Sequence, residues 1–209
     1  MKQGYFITLE GPDGAGKTTQ LARLKAAAAG LGIQVACTRE PGGTPIGDAV
    51  RKILLDPEYA EMVPLTEVFL YAAARAQLYH ELIEPSLKQG MLILCDRFVD
   101  STLAYQVYGG DMDYNFVLQA NLRAIGGRLP DRTFILDIDP KAGFSRRQAG
   151  AADRMEQKSL DFHNRVRQGF LDLAVLYPDR ITVVDGSLPE EDVFAMIWNQ
   201  VSADLDKLL

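Results

Sequence analysis

The chain alternates between short apolar runs and longer stretches with helical spacing. The apolar runs are YFITLE (5–10), IQVACT (33–38), MLILCD (91–96), TFILDI (133–138) and ITVVD (181–185). Their apolar residues are nearly continuous, as expected for strands buried on both faces. Between them the apolar positions recur at three- and four-residue intervals, which predicts helices. The alternation of strand and helix predicts an α/β domain: a doubly wound, five-stranded parallel sheet flanked by helices.

The first helix is expected to open at about Lys17 and run through LARLKAAAAG, with Gly30 and Gly32 as stop signals. Others are expected over 46–55, 114–125, 140–147, 159–176 and 189–207. The longest helical region, PLTEVFLYAAARAQLYHELIEPSLKQG (64–90), carries Pro85 as a kink or break. Asp139-Pro140 has the form of an N-cap followed by proline at the first helical position. The stretch SRRQAGAADRMEQ (145–157) departs from this pattern. It is small, polar and arginine-bearing, and reads as a lid over a site. With no repeat, linker or low-complexity tail, residues 1–209 read as a single domain with that lid.

Composition narrows the possibilities. A chain of 209 residues with 47% hydrophobic content supports one sizeable core. A net charge of −6 argues against a general nucleic-acid binder, since duplex binding runs on phosphate neutralisation. No apolar run approaches the roughly 20 residues of a membrane span. The N-terminus enters a strand at once without the layout of a signal peptide, so a cytoplasmic location is expected. Cys37 and Cys95 lie in apolar runs and are expected as buried, reduced thiols. No Cys/His spacing suggests zinc.

The chemistry begins at GPDGAGKT, which fits G-x-x-x-x-G-K-[ST] between a predicted strand and a predicted helix. In such a loop the backbone N–H groups of Gly11, Pro12-Asp13-Gly14, Ala15 and Gly16 converge on phosphate oxygens. Proline itself lends no N–H. Lys17 reaches the outer phosphates, the Thr18 hydroxyl ligates Mg²⁺, and Thr19 continues the site. Asp13 reads either as an exposed loop residue or as an acceptor for a sugar hydroxyl on a second substrate.

Several P-loop classes are excluded. There is no guanine-reading N-K-x-D. The third apolar run ends in Asp96-Arg97 where a motor ATPase would carry Asp-Glu. Asp96 can support Mg²⁺ through water, and Arg97 can clamp a phosphate. Only His80 and His163 are present, neither in a catalytic pattern. A monophosphate acceptor is largely ionised at neutral pH, because its second pKa is about 6. It needs positioning and positive charge rather than a base. Arg39, Arg51, Arg75 and Arg97, with Arg146, Arg147 and Arg154, could supply that charge.

Six ordered motifs then resemble the thymidylate kinase family: EGPDGAGKTT, TREPGGTPIGDAVRKILLD, FLYAAARAQ, DRFVDSTLAYQ, LPDRTFILDID and DRMEQKSLDFHNRV. The resemblance implies a homodimer that moves the γ-phosphoryl of ATP to dTMP. It implies that Asp13 takes the sugar 3′-hydroxyl. Arg97, with Arg39 and Arg51, would hold the dTMP phosphate, beside a loop fixed by Glu40. Tyr71 would stack on thymine, where pattern alone makes it a core aromatic. Arg75 would meet the base edge, and Ser101, Thr102 and Gln106 fall in the acceptor motif. Tyr105 would crowd the 2′ position.

The P-loop carries no arginine, so the chain resembles the bacterial type with lid arginines. Arg147 or Arg154 would support the transferred phosphoryl, and Arg146 would lie nearer the adenine. The apolar stretch 68–78 is the expected dimer surface. The competing readings are a nucleoside kinase, with Glu10 or Glu40 as base, and a nucleotide-binding module without catalysis.

Overall fold

Five parallel strands lie in the order β2-β3-β1-β4-β5. They are β1 (Tyr5–Glu10), β2 (Val35–Arg39), β3 (Leu92–Asp96), β4 (Arg132–Asp137) and β5 (Ile181–Asp185). The computed structural model describes residues 4–146 and 152–207. The middle of the expected lid, including Arg147, lies outside the described residues. The helices are α1 (Lys17–Gly30), α2 (Pro45–Leu55), α3 (Pro64–Leu78), α4 (Glu84–Lys88), α5 (Val99–Thr102), α6 (Tyr114–Ala124), α7 (Pro140–Arg146), α8 (Leu160–Leu176) and α9 (Glu190–Asp206).

Side chains leave a strand to alternate faces, and β1 shows the division. Ile7 and Leu9 enter the core beneath α1 and α9, with Leu94, Phe134 and Ile197. Phe6 enters the opposite core, with Ile93, Phe98, Ile135 and Phe170. Thr8 and Glu10 share the Phe6 face by the same period of two. Both are fully buried, so each needs polar partners. Thr8 finds Thr133, with hydroxyl oxygens 2.8 Å apart.

Three details differ from the sequence reading. First, β2 starts two residues later than expected and forms a sheet edge. Cys37 is therefore exposed rather than buried, while Cys95 on the interior strand β3 is buried as expected; both are free.

Second, the long helix does not break at Pro85. A π-helical turn, Tyr79–Ile83, joins α3 to α4. The Glu84 N–H bonds the Tyr79 carbonyl there, a wider turn just before the residue that has no N–H to give. Within 68–78, Val68 and Leu78 point into the core; the exposed apolar side chains of α3 are Leu65 and Phe69.

Third, 99–109 is helical: α5 continues into a second π-helical segment, Leu103–Gly109. No amphipathic repeat marks this stretch in the sequence, because residues 99–106 are buried on every side.

Candidate active site

All five strands point their C-terminal ends the same way, and the polar residues gather at that edge. From β1 the chain turns through Gly11, Gly14 and Gly16, with φ of 124°, 77° and 91°, a backbone that favours glycine. Helix α1 opens at Lys17 immediately afterwards. The Lys17 Nζ donates to the carbonyls of Gly11 at 3.0 Å and Pro12 at 2.9 Å. Burial, then Arg97, pull Lys17 down to about 8, against Asp96, Asp13 and Glu10.

Gly14 also meets α7. A Cβ on Gly14 would lie 2.1 Å from the Gly143 carbonyl oxygen, and one on Gly143 would lie 2.3 Å from the Asp13 carbonyl oxygen. The loop and the helix touch backbone to backbone.

From β3 come Asp96 and Arg97. The Thr18 hydroxyl donates to Asp96 Oδ2 at 3.0 Å on the exposed side of the loop. Hard oxygen donors of this kind suit Mg²⁺. Among the described residues no group of three or more His, Cys, Asp or Glu is arranged to hold a metal alone. The pair therefore fits an ion whose remaining ligands are phosphate oxygens and water.

Arg97 is the centre of the site. Its φ is 69°, a strained value for a residue with a side chain. Nη2 donates to Asp13 Oδ1 at 2.6 Å and to the Tyr105 hydroxyl at 3.3 Å, while Nη1 donates to the Ser101 hydroxyl at 3.0 Å. Burial opposes the charge on Arg97, but Tyr105, Asp13, Asp96 and Glu10 keep it protonated. Burial pushes the Asp13 carboxyl up as well. Arg97 and Lys17 outweigh that effect and hold it at about 2.

Two clefts meet here. One runs along the P-loop and is lined by Gly14, Gly16, Lys17, Thr18, Thr19, Arg39, Asp96 and Arg146. The other, beside α2 and α3, is lined by Tyr71, Arg75, Ser101, Thr102, Tyr105 and Gln106. Asp13, Glu40, Arg51 and Arg97 line both. Of the residues expected at the acceptor, Arg39 lines the P-loop cleft alone; the others line the second cleft or the seam shared by the two.

Glu40 opens the loop after β2, and the Glu40–Pro41 peptide is cis. Arg51 reaches back to the same loop, its Nη1 donating to the Pro41 carbonyl at 2.9 Å. Burial pulls the Arg51 pKa down, with Arg39 the second cause. Arg39 is exposed and lies 3.6 Å from Asp48. Arg75 is almost wholly buried, so it is no surface charge. Its Nε donates to Glu40 Oε2 at 2.8 Å, and its other nitrogens bond Glu40 and Asn121. Asn121, on α6, escaped the sequence reading; an asparagine inside a helical run was its only signal.

Arg146 donates to the carbonyls of Gly186 at 2.8 Å and Ser187 at 3.3 Å and lines the P-loop cleft. Arg154 does not reach the phosphate side. Its Nε donates to the Leu54 carbonyl at 2.8 Å and its amide to the Leu55 carbonyl at 2.9 Å. Its Nη2 forms an ion pair with Glu67. Glu67 in turn accepts from the Gln106 amide at 2.8 Å. Arg154 is thus buried beneath the acceptor cleft, because α2 ends with bare carbonyls that only a donor can satisfy. Glu67 was also not anticipated; it lies one turn before Tyr71 on α3.

The nucleoside-kinase reading requires a free carboxylate. Glu10 accepts from the Phe98 amide at 2.7 Å and from the Ser101 hydroxyl, and Glu40 is bound to Arg75. Both oxygens of Glu10 are engaged; Glu40 is tied to Arg75 through Oε2, while its buried Oε1 has no hydrogen-bond partner among the described residues.

A family model described as thymidylate kinase matches residues 9–197. A curated thymidylate kinase of Deinococcus radiodurans is 51% identical over 97% of this chain and 98% of its own. One from Geobacillus is 44% identical, over 99% of this chain and 98% of that one. The crystal structure of thymidylate kinase from Ehrlichia chaffeensis superposes with a TM-score of 0.79 at 33% identity, covering 95% of this chain and 99% of the other.

Proposed function

The chain belongs to the thymidylate kinase family and is a dTMP kinase, making dTDP for dTTP synthesis; on that premise we propose how its residues divide the work. ATP lies along the P-loop, its phosphates on the backbone of 11–16 with Lys17, Thr18 and Thr19. Arg146 flanks the nucleotide. dTMP lies in the second cleft, its base against Tyr71 and the Arg75 edge, with Thr102 and Gln106 beside it. Tyr105 and Asp13 border the sugar. The acceptor phosphate meets the seam, where Arg97 and Arg51 hold it and Arg39 adds charge.

The observation that carries this reading is the sharing of Asp13, Glu40, Arg51 and Arg97 by the two clefts. Two bound phosphate chains can come into line only at such a seam. The acceptor oxygen is already ionised, so the chain supplies no base, in keeping with the engaged states of Glu10 and Glu40. Thr18, and Asp96 through water, would hold Mg²⁺, which would supply charge neutralisation on the transferred group. Of the arginines expected at the transferred phosphoryl, Arg147 remains our assignment. Arg154 instead supports the acceptor cleft.

We further propose a cytoplasmic protein that pairs with a second copy through α3 and α6. Leu65, Phe69 and Phe116 are exposed there, and the Phe69 and Phe116 rings meet edge to face at 5.9 Å. Light scattering should give a dimer for the unaltered chain and a monomer for Phe69→Glu; a dimer in both would exclude this face. The acceptor assignment is tested by ADP release with Mg-ATP and dTMP, dUMP, ribo-TMP, dCMP, dGMP, AMP or thymidine. A strong preference for dTMP is expected. A preference for thymidine would remove the roles given to Arg97 and Arg51.

A further inference from the structure

Glu10 ends β1 facing the core, fully buried, and takes no part in the mechanism above. Its oxygens are aimed at two neighbours of Arg97. Oε1 accepts the Phe98 N–H at 2.7 Å, and Oε2 accepts the Ser101 hydroxyl. A hydroxyl has one proton and two lone pairs. Because Ser101 gives its proton to Glu10, its oxygen is free to accept from Arg97 Nη1, at 3.0 Å. The Phe98 bond pins the peptide that follows Arg97, the residue with the left-handed backbone. One carboxylate therefore fixes both the backbone and the guanidinium of the clamp.

We propose that Glu10 is a positioning residue for the acceptor phosphate: as a carboxylate it orients Ser101 and the Phe98 peptide, and so aims Arg97. This rests on the reading of Arg97 as the clamp on dTMP. Protonated at Oε2, Glu10 would turn donor, and the Ser101 proton would be driven toward Arg97.

The groups facing Glu10 decide when that happens. Burial and then the Asp100 carboxylate on α5 push Glu10 up to about 7, while Ser101, Arg97 and the Phe98 amide pull it down. Lys17 on α1, Arg180 ahead of β5 and Cys95 on β3 also feel its charge. Asp100 is itself held by Arg180 through contacts of 2.7 and 2.8 Å, which keeps a fixed negative neighbour behind Glu10.

The test compares the unaltered enzyme with Glu10→Gln, Ser101→Ala and Arg97→Ala. Glu10→Gln keeps the shape and loses the charge. Its KM for dTMP should rise by about tenfold, the scale of a lost charge-assisted hydrogen bond, with KM for ATP within about twofold. In the unaltered enzyme kcat/KM for dTMP should fall as pH drops through 7, above the limb from the acceptor phosphate near pH ~6. Glu10→Gln should show only the lower limb. Ser101→Ala removes the link with the carboxylate in place and should reproduce the dTMP-selective rise even if Glu10→Gln fails to fold.

A structural role alone would lower melting temperature and impair both substrates with the pH profile unchanged. That result, or wild-type dTMP kinetics in both variants while Arg97→Ala loses dTMP use, overturns the inference and leaves the clamp reading intact. If Arg97→Ala itself retains dTMP kinetics, the clamp reading falls and the inference falls with it.

Discussion

Lys17 carries a charge that the fold holds at a disadvantage until phosphates arrive. Burial moves it from an ordinary 10.5 to about 8. At about 1.4 kcal/mol per pH unit, the protonated side chain costs the nucleotide-free protein about 3 kcal/mol at neutral pH. Its two hydrogen bonds to loop carbonyls return about 1 kcal/mol each. Lys17→Met should therefore leave nucleotide-free stability at pH 7 unchanged or raised by about 1 kcal/mol, while turnover is nearly abolished.

The pH dependence is the sharper test. A lysine whose folded pKa lies below its unfolded one binds fewer protons when folded, so stability rises with pH between about 8 and 10.5. Between pH 7 and 9.5 the unaltered protein should gain about 2 kcal/mol from this group that Lys17→Met cannot gain. Urea unfolding of both proteins at the two pH values measures this as a difference of differences, in which other titrating groups cancel. A stability gap that is the same at pH 7 and 9.5 would refute the buried-charge reasoning. Retained turnover would refute the role of Lys17.

Arg97→Ala should mainly weaken dTMP use, with KM for ATP little changed; steady-state kinetics with each substrate varied will show this, and unchanged dTMP constants would contradict it. Arg154→Met leaves the buried Glu67 carboxylate with only the Gln106 amide and should destabilise by about 3 kcal/mol. A fall in kcat with unaltered melting temperature would return Arg154 to the transferred phosphoryl. Gly143→Ala puts a methyl 2.3 Å from the Asp13 carbonyl oxygen, so KM for ATP should rise and melting temperature fall; unaltered values in both would show that the loop yields freely. Glu40→Ala strands the Arg75 guanidinium, nearly all of it buried, and should destabilise by roughly 3 kcal/mol, read by the same melts.

The sheet was legible because buried parallel strands are written as unbroken apolar runs; β1, β3 and β5 began or ended where the runs did, and β4 was displaced by one residue. β2 began two residues late, and its place at a sheet edge leaves Cys37 at the surface. The P-loop was readable from spacing alone, since the glycine conformations and Lys17 are local requirements. The anchoring of Arg75 and Arg154 was less accessible. Each is held by a carboxylate far away in the chain, Glu40 and Glu67, and nothing local marks either pairing. The helical 99–109 segment was hidden by burial on all sides, which erases the period that identifies helices.

The contact between Gly14 and Gly143 has a mechanical meaning. No side chain lies between the phosphate loop and α7 to act as a cushion, and Asp139 further ties down the start of the helix through the Lys141 and Ala142 amides. A joint without compliance transmits displacement in full. Whatever shift the reaction cycle asks of α7, the loop that grips the nucleotide must make with it.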